Sequence, residues 1–338
     1  MKKYLLPESG TFFKANLHCH STVSDGVMTP EEIKALYKEK GYSVVAFTDH
    51  DVLVAHPELT DDGFVALNGY EMEVNEENGE AWRFCKSTHM CFIAADPDNL
   101  KQVCFHRTKY VTGNAKNYLD KIEYDENAPD YEREHTHDCI SNMMKAGREN
   151  GFFVTYNHPS WSLDTYDDYM GYANMHAMEI YNHSSSCLGY FEYNEKEYDD
   201  MLRGGKRIFC IAADDNHSAR DACGGFVMIK ADKLEYRKIT DALFAGDFYA
   251  SQGPLIHALW FEDGKIHIEC SDAVSIRFNT ASRRAKLFEA DNGAFVNSAD
   301  FEVSEEDGYV RVTVTDSNGK KANTSAYFTN ELFSSADE

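Results

Sequence analysis

The chain has 338 residues and is 43% hydrophobic, which is enough for two domains with buried cores. Its formal net charge of −24 disfavours a nucleic-acid partner, except a short oligonucleotide bound as a substrate. No stretch approaches the ~18 apolar residues of a membrane span. The apolar run of the opening MKKYLLPESG is too short for a signal peptide. The nine cysteines form no CxxC pair. We therefore expect a cytoplasmic protein with reduced thiols and no membrane partner.

Seven apolar runs in the first 250 residues predict strands buried on both faces, as in a parallel sheet. A helix is predicted to begin at Pro30, with Thr29 as N-cap and Glu32 closing a capping box, and to end at Gly41. The alternation of strands and helices indicates an α/β fold, and seven strands would form a distorted (β/α) barrel. The runs are FFKANLH, SVVAFTDH, FVALNGYEME, HMCFIAA, GFFVTYNH, HAMEIYNH and RIFCIAADDNH.

Residues 96–152 interrupt this pattern with many Tyr, Asp and Glu, and a loop of this length is typical of a lid or binding element. Within it, CISNMMKAGRENG predicts a helix ending at Gly151. After residue 252 the apolar residues alternate with period two, and DG and NG predict hairpin turns. We therefore predict two domains, residues 1–251 and a small all-β sandwich at 252–338.

Polar side chains follow the ends of most predicted strands, where functional residues of a βα barrel gather. His89 breaks this pattern, because it stands at the start of its run. Imidazole and carboxylate ligands suit Mn, Fe or Zn, and nine are too many for one ion, so they predict two or three divalent ions sharing a bridging carboxylate. Such sites activate water and clamp a transferring phosphoryl group. The predicted ligands are His18, His20, Asp25, His50, Glu71, His89, His158, Asp215 and His217.

The motifs NLHCHSTVSDGVMTPEEI, VVAFTDHD, GYEMEV, NHP and ADDNHS, in this order, resemble those of the PHP (polymerase and histidinol phosphatase) superfamily. The resemblance covers residues ~11–250 and implies a (β/α)7 barrel with a di- or trinuclear site. YASQGP followed by a β-sandwich resembles a two-domain subgroup of metal-dependent phosphoesterases.

The resemblance also implies which residues share an ion. One ion would be held by His18, His20, Glu71 and Asp215, and a second by His89, His158 and the bridging Glu71. A third would be held by Asp25, His50 and His217, although many family members have histidine where this chain has Asp25.

Four further residues lie near these motifs. His183 ends a strand and is a candidate general acid or substrate contact, or else a polar rim residue, while Arg220 could pair with a phosphate oxygen or a surface acid. Asp49 is expected to orient a ligand histidine or fix the turn rather than bind metal, and Asp214 is an extra carboxylate without an assigned role.

We therefore predict a metal-dependent phosphoesterase acting on a small phosphorylated metabolite or nucleotide. A metal-bridging hydroxide would attack phosphorus, with Glu71 and Asp215 in the catalytic centre and His183 or water protonating the leaving group. The alternatives are a phosphodiesterase or nuclease on short oligonucleotides, a hydrolase of a non-phosphate ester, and a non-catalytic metal-binding module whose sandwich binds a partner. The sequence does not indicate the oligomeric state.

Overall fold

The computed structural model describes residues 2–291 and 293–334. Among these residues, no helix combines the length and the apolar character that a membrane crossing requires. All nine cysteines are free thiols.

The first part of the chain alternates strands with helices. Its strands are β1 (Lys3–Tyr4), β2 (Thr11–Asn16), β3 (Val44–Phe47), β4 (Val65–Asn75), β5 (Ser87–Ala94), β6 (Lys101–Gln102), β7 (Glu123–Tyr124), β8 (Phe152–Tyr156), β9 (Ala177–Asn182), β10 (Phe209–Ala213), β11 (Phe226–Ala231) and β12 (Phe248–Ser251). Its helices are α1 (Pro30–Glu39), α2 (His137–Glu149), α3 (Tyr166–Gly171), α4 (His183–Leu188), α5 (Glu195–Arg203) and α6 (Tyr236–Ala245).

The seven apolar runs form strands β2 to β5 and β8 to β10, as predicted, whereas β11 and β12 are strands that the sequence did not single out. The start of α1 is also confirmed. The Thr29 side chain accepts a hydrogen bond from the Glu32 backbone, and the Glu32 side chain accepts one from Thr29. Gly41 follows this helix with a left-handed φ of 78°, a conformation that glycine adopts without strain.

The large sheet has the strand order β10-β9-β8-β5-β4-β3-β2-β11-β12, and it is mixed rather than parallel throughout. Strand β5 runs antiparallel to both β4 and β8, while β2, β3 and β4 are mutually parallel. The chain returns from β4 to β5 without a helical crossover, which only an antiparallel pair allows readily. Strand β10 lies beside β11 and β12 in space, but no ladder joins them in the part of the chain that is described. The fold is therefore mixed α/β with one large sheet, and closure into a (β/α)7 barrel stays a prediction.

The remaining elements are antiparallel strands and one short helix. They are β13 (Ile256–Glu262), β14 (Lys265–Ala273), β15 (Ser275–Thr280), β16 (Ala285–Glu289), β17 (Val296–Glu302), β18 (Tyr309–Thr315), β19 (Lys321–Asn323), β20 (Tyr327–Phe328) and α7 (Thr329–Leu332). The predicted DG turn joins β13 to β14, with positive φ at Asp263 (49°) and Gly264 (75°), and the NG turn joins β18 to β19.

The two parts of the chain share backbone hydrogen bonds. Strand β12 pairs with β19, so the large sheet continues through β18, β15 and β16, while β1, β13, β14 and β17 form a separate four-stranded sheet. The predicted boundary near residue 251 therefore falls inside a continuous sheet rather than in a free linker.

Candidate metal centre

All nine predicted ligands converge at one edge of the large sheet. The parallel strands contribute from their carboxyl ends, because those ends meet at the same edge. His89 contributes from the start of β5, and the antiparallel direction of that strand explains why. Its amino end lies at the same edge, with His89 paired in register to Glu73 of β4.

The first group of ligand atoms is fully formed and buried. His18 Nε2 lies 3.1 Å from His20 Nε2 and 3.0 Å from Glu71 Oε1, and Asp215 Oδ1 lies 3.2 Å from His18 Nε2 and 3.1 Å from His20 Nε2. These four residues are close enough to share one ion, and they are the four that the resemblance implies for it.

Glu71 also faces the second group. Its Oε1 lies 3.3 Å from His89 Nδ1 and 3.5 Å from His158 Nε2, and its Oε2 lies 3.3 Å from His50 Nδ1. His50, Glu71 and His89 form the compact group here. His158 is not part of that compact group, and its Nε2 lies 3.8 Å from Asp215 Oδ2. The structure therefore places His50, rather than His158, in the second group with Glu71 and His89.

The third group is the most exposed. His217 Nε2 lies 3.3 Å and His50 Nε2 3.7 Å from Asp25 Oδ2, and His20 Nδ1 lies 3.6 Å from Asp25 Oδ1. The Asp25 side chain is 54% exposed, whereas the Glu71 side chain is 1% exposed. An ion held here would exchange with solvent more readily than one in the first group.

The unsatisfied polar atoms test whether these residues fit metal ions. Three buried ligand atoms make no hydrogen bond within the described residues, namely His20 Nδ1, His50 Nδ1 and Glu71 Oε2. Buried polar atoms are nearly always paired, and all three point into the groups described above. With imidazole and carboxylate donors throughout, the arrangement fits a multinuclear site for borderline divalent ions.

The charge balance of the centre favours ionised carboxylates. Burial raises the pKa of Glu71, but the facing imidazoles of His18 and His89 outweigh burial and hold that pKa well below its usual value. Burial lowers the pKa of His18, but Asp215 and Glu71 outweigh it and raise that pKa well above its usual value. Protons on these imidazoles would therefore leave when an ion binds.

The tautomers of two ligand histidines are set by acceptors behind them. His18 Nδ1 donates to Glu179 Oε1 at 2.7 Å, and His217 Nδ1 donates to the Asp215 carbonyl at 2.9 Å. When an ion displaces the second proton, each ring keeps its proton on Nδ1 and presents an unprotonated Nε2 to the site, the form that binds metal. Left-handed φ angles at Asp215 (54°) and His158 (25°) add local backbone strain, which is common at functional sites.

Three supporting residues are absent from the sequence prediction. Glu179 is buried in β9 and accepts hydrogen bonds from His18, the His158 backbone and Asn182. Asn182 also donates to Asp215 Oδ2 at 3.2 Å, and Asn157 donates to Glu71 Oε1 at 2.9 Å. A glutamate inside the apolar run HAMEIYNH was a usable signal, because an ionisable residue is rarely buried without a partner.

The two additional aspartates fix loops. Asp49 accepts hydrogen bonds from the backbone and side chain of both Ser21 and Ser24, so it holds the turn between His20 and Asp25, one of its two predicted roles. Asp214 accepts from the Tyr37 hydroxyl and from the backbone of residues 223, 224 and 225.

The structure does not bring His183 into the cavity. Its Nδ1 lies 2.8 Å from the Tyr181 hydroxyl, and its Nε2 lies against Cys187 Sγ at 3.6 Å. Arg220 lies in a 3₁₀ turn at the cavity rim, next to Asp221, and its guanidinium is exposed without an ion pair among the described residues. Both substrate roles stay predictions.

A cavity of about 390 Å³ opens over most of the predicted metal ligands. None of its lining residues comes from the 96–152 segment. That segment instead supports the site from behind, because Arg133 pairs with buried Asp51 and donates to the Glu73 carbonyl at 2.9 Å. The cavity is lined by Asp25, His50, Glu71, Glu73, Trp82, His89, His158, Trp161, Ser184, Ser185, Leu188, Asp215, His217 and Asp221.

Comparison with known proteins adds a short curated match and two distant structures. A 68-residue stretch is 37% identical to a 5'-3' exoribonuclease of Haemophilus influenzae, and it covers 19% of this chain and 25% of that protein. The chain thus spans about a quarter of the length of the curated relative it matches.

Each of the two solved structures compared with the chain shares 15% identity with it. One is a two-domain protein containing a predicted PHP-like metal-dependent phosphoesterase from Bacteroides vulgatus, with a TM-score of 0.45 and coverage of 96% of this chain and 98% of that one. The other is a lesion-specific endonuclease from Pyrococcus furiosus, with a TM-score of 0.41 and coverage of 70% and 56%.

The family profile of the PHP domain matches residues 16–209, which is more than half of the chain and runs from the first histidine motif into β10. The chain therefore belongs to the PHP domain family.

Proposed function

We propose that the protein is a metal-dependent phosphoesterase that hydrolyses a small phosphomonoester. The observation that carries this proposal is the position of Glu71, whose two carboxylate oxygens face different groups of ligand atoms. Oε1 lies near His18 and His89, and Oε2 lies near His20 and His50. A buried carboxylate between two groups is what neighbouring ions need in order to share one ligand.

Bound divalent ions, of Mn, Fe or Zn, would supply an acidified water and positive charge for the phosphoryl oxygens. The side chains hold that centre in place. Asp215 Oδ1 stands between His18 and His20, and Asn182 fixes its other oxygen. Because the donors are buried and prepositioned, they need little reorganisation when charge develops in the transition state.

The cavity determines how the substrate can bind. No lysine or arginine is among its described lining residues, so the ions would balance most of the phosphate charge. Arg220 is proposed to reach one phosphate oxygen from the rim. A water molecule suits the protonation of the leaving group better than His183, since both nitrogens of that ring face Tyr181 and Cys187.

A phosphodiesterase acting on short oligonucleotides is the second candidate. The 37% identity over 68 residues to a protein named as a 5'-3' exoribonuclease favours it. The acidic lining weakens it, because proteins that track a nucleic-acid strand do so with a positively charged groove.

We also propose the finer architecture that the sequence predicted. The proximity of β10 to β11 and β12 supports a distorted (β/α)7 barrel within residues 1–251. A shared core between the two sheets supports a β-sandwich in residues 252–338. Phe278 of one sheet stacks on Phe301 of the other at 5.3 Å. Nine free thiols are consistent with a cytoplasmic location.

The test compares hydrolysis of p-nitrophenyl phosphate with that of bis(p-nitrophenyl) phosphate. Protein stripped of metal is reloaded with Mn, Fe or Zn, and the double variant His18→Ala/Asp215→Ala is assayed beside it. The matched control is His257→Ala, which removes an exposed histidine of β13.

We expect metal-dependent release from the monoester, no release by the double variant and wild-type rates for the control. Faster release from the diester would replace the first candidate by the second. Activity that survives in the folded double variant would refute the assignment of the metal centre.

A further inference from the structure

We propose that Trp82 and Trp161 form a stacking subsite for a planar aromatic ring carried by the leaving group of the substrate. The inference rests on the proposed phosphoesterase function and names the substrate class, an aryl or nucleoside monophosphate. Both tryptophans line the cavity that opens over the metal ligands.

Aromatic rings continue from the metal ligands towards solvent. Trp161 meets His89 and His158 edge to face, with ring centroids 5.0 Å and 4.9 Å away. Trp82 then meets Trp161 edge to face at 5.9 Å. A ring placed against this wall would therefore lie on the side of the cavity where His89 and His158 stand, between the predicted ligands and solvent.

The outer ring of this wall is unusually exposed. Trp82 is 62% exposed, in a 3₁₀ turn between β4 and β5, and Leu188, which lines the same cavity, is 66% exposed. Apolar side chains of this size gain free energy when they are covered. Because Trp82 and Leu188 both line the cavity, a bound substrate would cover their exposed apolar surface.

The charge of the cavity selects the kind of ring. Asp25, Glu73 and Asp221 face it, and no lysine or arginine is among the described lining residues. A strand of several phosphates would meet this acidic rim without neutralisation beyond the ions. A single phosphoryl group joined to a neutral planar ring satisfies both the metal centre and the aromatic wall, and about 390 Å³ holds a ligand of that size.

Phe84 provides a matched control on the same turn. It is 60% exposed, but it does not line the cavity, and the Arg83 guanidinium lies over its ring at 4.8 Å. If exposed aromatic surface on this turn acted only through stability or a distant partner, Trp82 and Phe84 would respond alike.

The activity test measures kcat/KM for phenyl phosphate, adenosine 5'-monophosphate and ribose 5-phosphate in the metal-loaded protein. We expect the ratio of aromatic to aliphatic substrate to fall about 10- to 100-fold in Trp82→Ala, the size found when a stacking aromatic is replaced by alanine. Trp82→Phe should keep most of the ratio, and Phe84→Ala all of it. A preference shared by the phenyl and adenosine compounds would identify any planar ring as the ligand, whereas a preference for adenosine alone would identify a nucleobase.

A binding test separates this inference from the proposed function. Phenylphosphonate and methylphosphonate are not hydrolysed, and their affinities are compared by calorimetry in the metal-loaded wild type, Trp82→Ala and Phe84→Ala. A phenyl preference that Trp82→Ala alone loses supports the subsite, even if no phosphomonoester were hydrolysed and the proposed function failed. Equal affinity for both phosphonates, or an unchanged ratio in Trp82→Ala, overturns the subsite even if hydrolysis is confirmed.

Discussion

Replacing Glu179 by glutamine tests how the protein controls the first group of metal ligands. Three donors converge on this buried carboxylate, namely His18 Nδ1 at 2.7 Å and the His158 backbone and Asn182 amide, both at 2.9 Å. Glutamine offers one acceptor oxygen and one NH2 group in the same volume. At least one donor would therefore face another donor, at a cost of about 1–3 kcal/mol for a buried unpaired group.

The effect on metal binding follows from the tautomer of His18. The Glu179 carboxylate keeps the proton on Nδ1 and leaves Nε2 free for the ion. An amide NH2 in that position would move the proton to Nε2 and block it. Loss of such a partner typically weakens metal binding 10- to 100-fold, or about 1.4–2.7 kcal/mol.

The assay is competition with a chromophoric chelator for Mn or Zn, supported by circular dichroism to confirm folding. The matched control is Glu192→Gln. Glu192 is also buried, but it accepts from the Trp161 backbone and Asn194 rather than from a predicted ligand. Wild-type affinity for every bound ion in folded Glu179→Gln would refute the tautomer argument, as would an equal loss in the control.

Three further predictions concern the third ion, the 96–152 segment and pH. Asp25→Ala should lower the bound metal by one ion per chain, measured by elemental analysis, because the other two groups do not need this exposed carboxylate. Arg133→Met should lower the free energy of unfolding, measured in urea, by about 3–5 kcal/mol, because it leaves Asp51 buried and unpaired. Its control is Lys109→Met, which removes an exposed ion pair and should change the free energy of unfolding by less than about 1 kcal/mol. Burial raises the pKa of Asp164 to about 7, so the native state binds more protons than the unfolded state from about pH 4 to pH 7. This residue should therefore lower the free energy of unfolding as pH rises across that range, by on the order of 4 kcal/mol, and Asp164→Asn should remove that slope in urea titrations.

Each of these has a clear contrary result. Unchanged metal content in Asp25→Ala would show that the third group holds no ion under the conditions used. An equal decrease in the free energy of unfolding in Arg133→Met and Lys109→Met would show that burial of the Arg133–Asp51 ion pair does not matter for stability. Parallel stability curves for wild type and Asp164→Asn would show that Asp164 is ionised in the native protein at acidic pH.

The predicted metal ligands could be named from sequence because most of them follow apolar runs, in a fixed order along the chain. Local chemistry also determined the start of α1 and the DG and NG hairpins, since a capping box and positive φ angles depend on adjacent residues. These features need no knowledge of which strands become neighbours.

Strand direction was not readable in the same way. His89 looked out of place because the apolar run of β5 carries no mark of its direction. The return from β4 made β5 antiparallel and moved the start of that strand to the functional edge. The pairing of β12 with β19, which joins the two predicted domains, likewise depends on contacts between distant residues, Ala250 with Asn323 and Ser251 with Ala322.

Several residues of the site became visible only through packing. Glu179, Asn157 and Asn182 support the ligands from other strands, and Trp82 and Trp161 meet across two separate loops. The sequence by itself determined the ligand types, their order and the local turns, because these depend on short-range chemistry and apolar periodicity. The tertiary structure decided which predicted ligands lie together, which acceptor faces each histidine from behind and what lines the cavity above them, because those relations are set by strand pairing between distant segments.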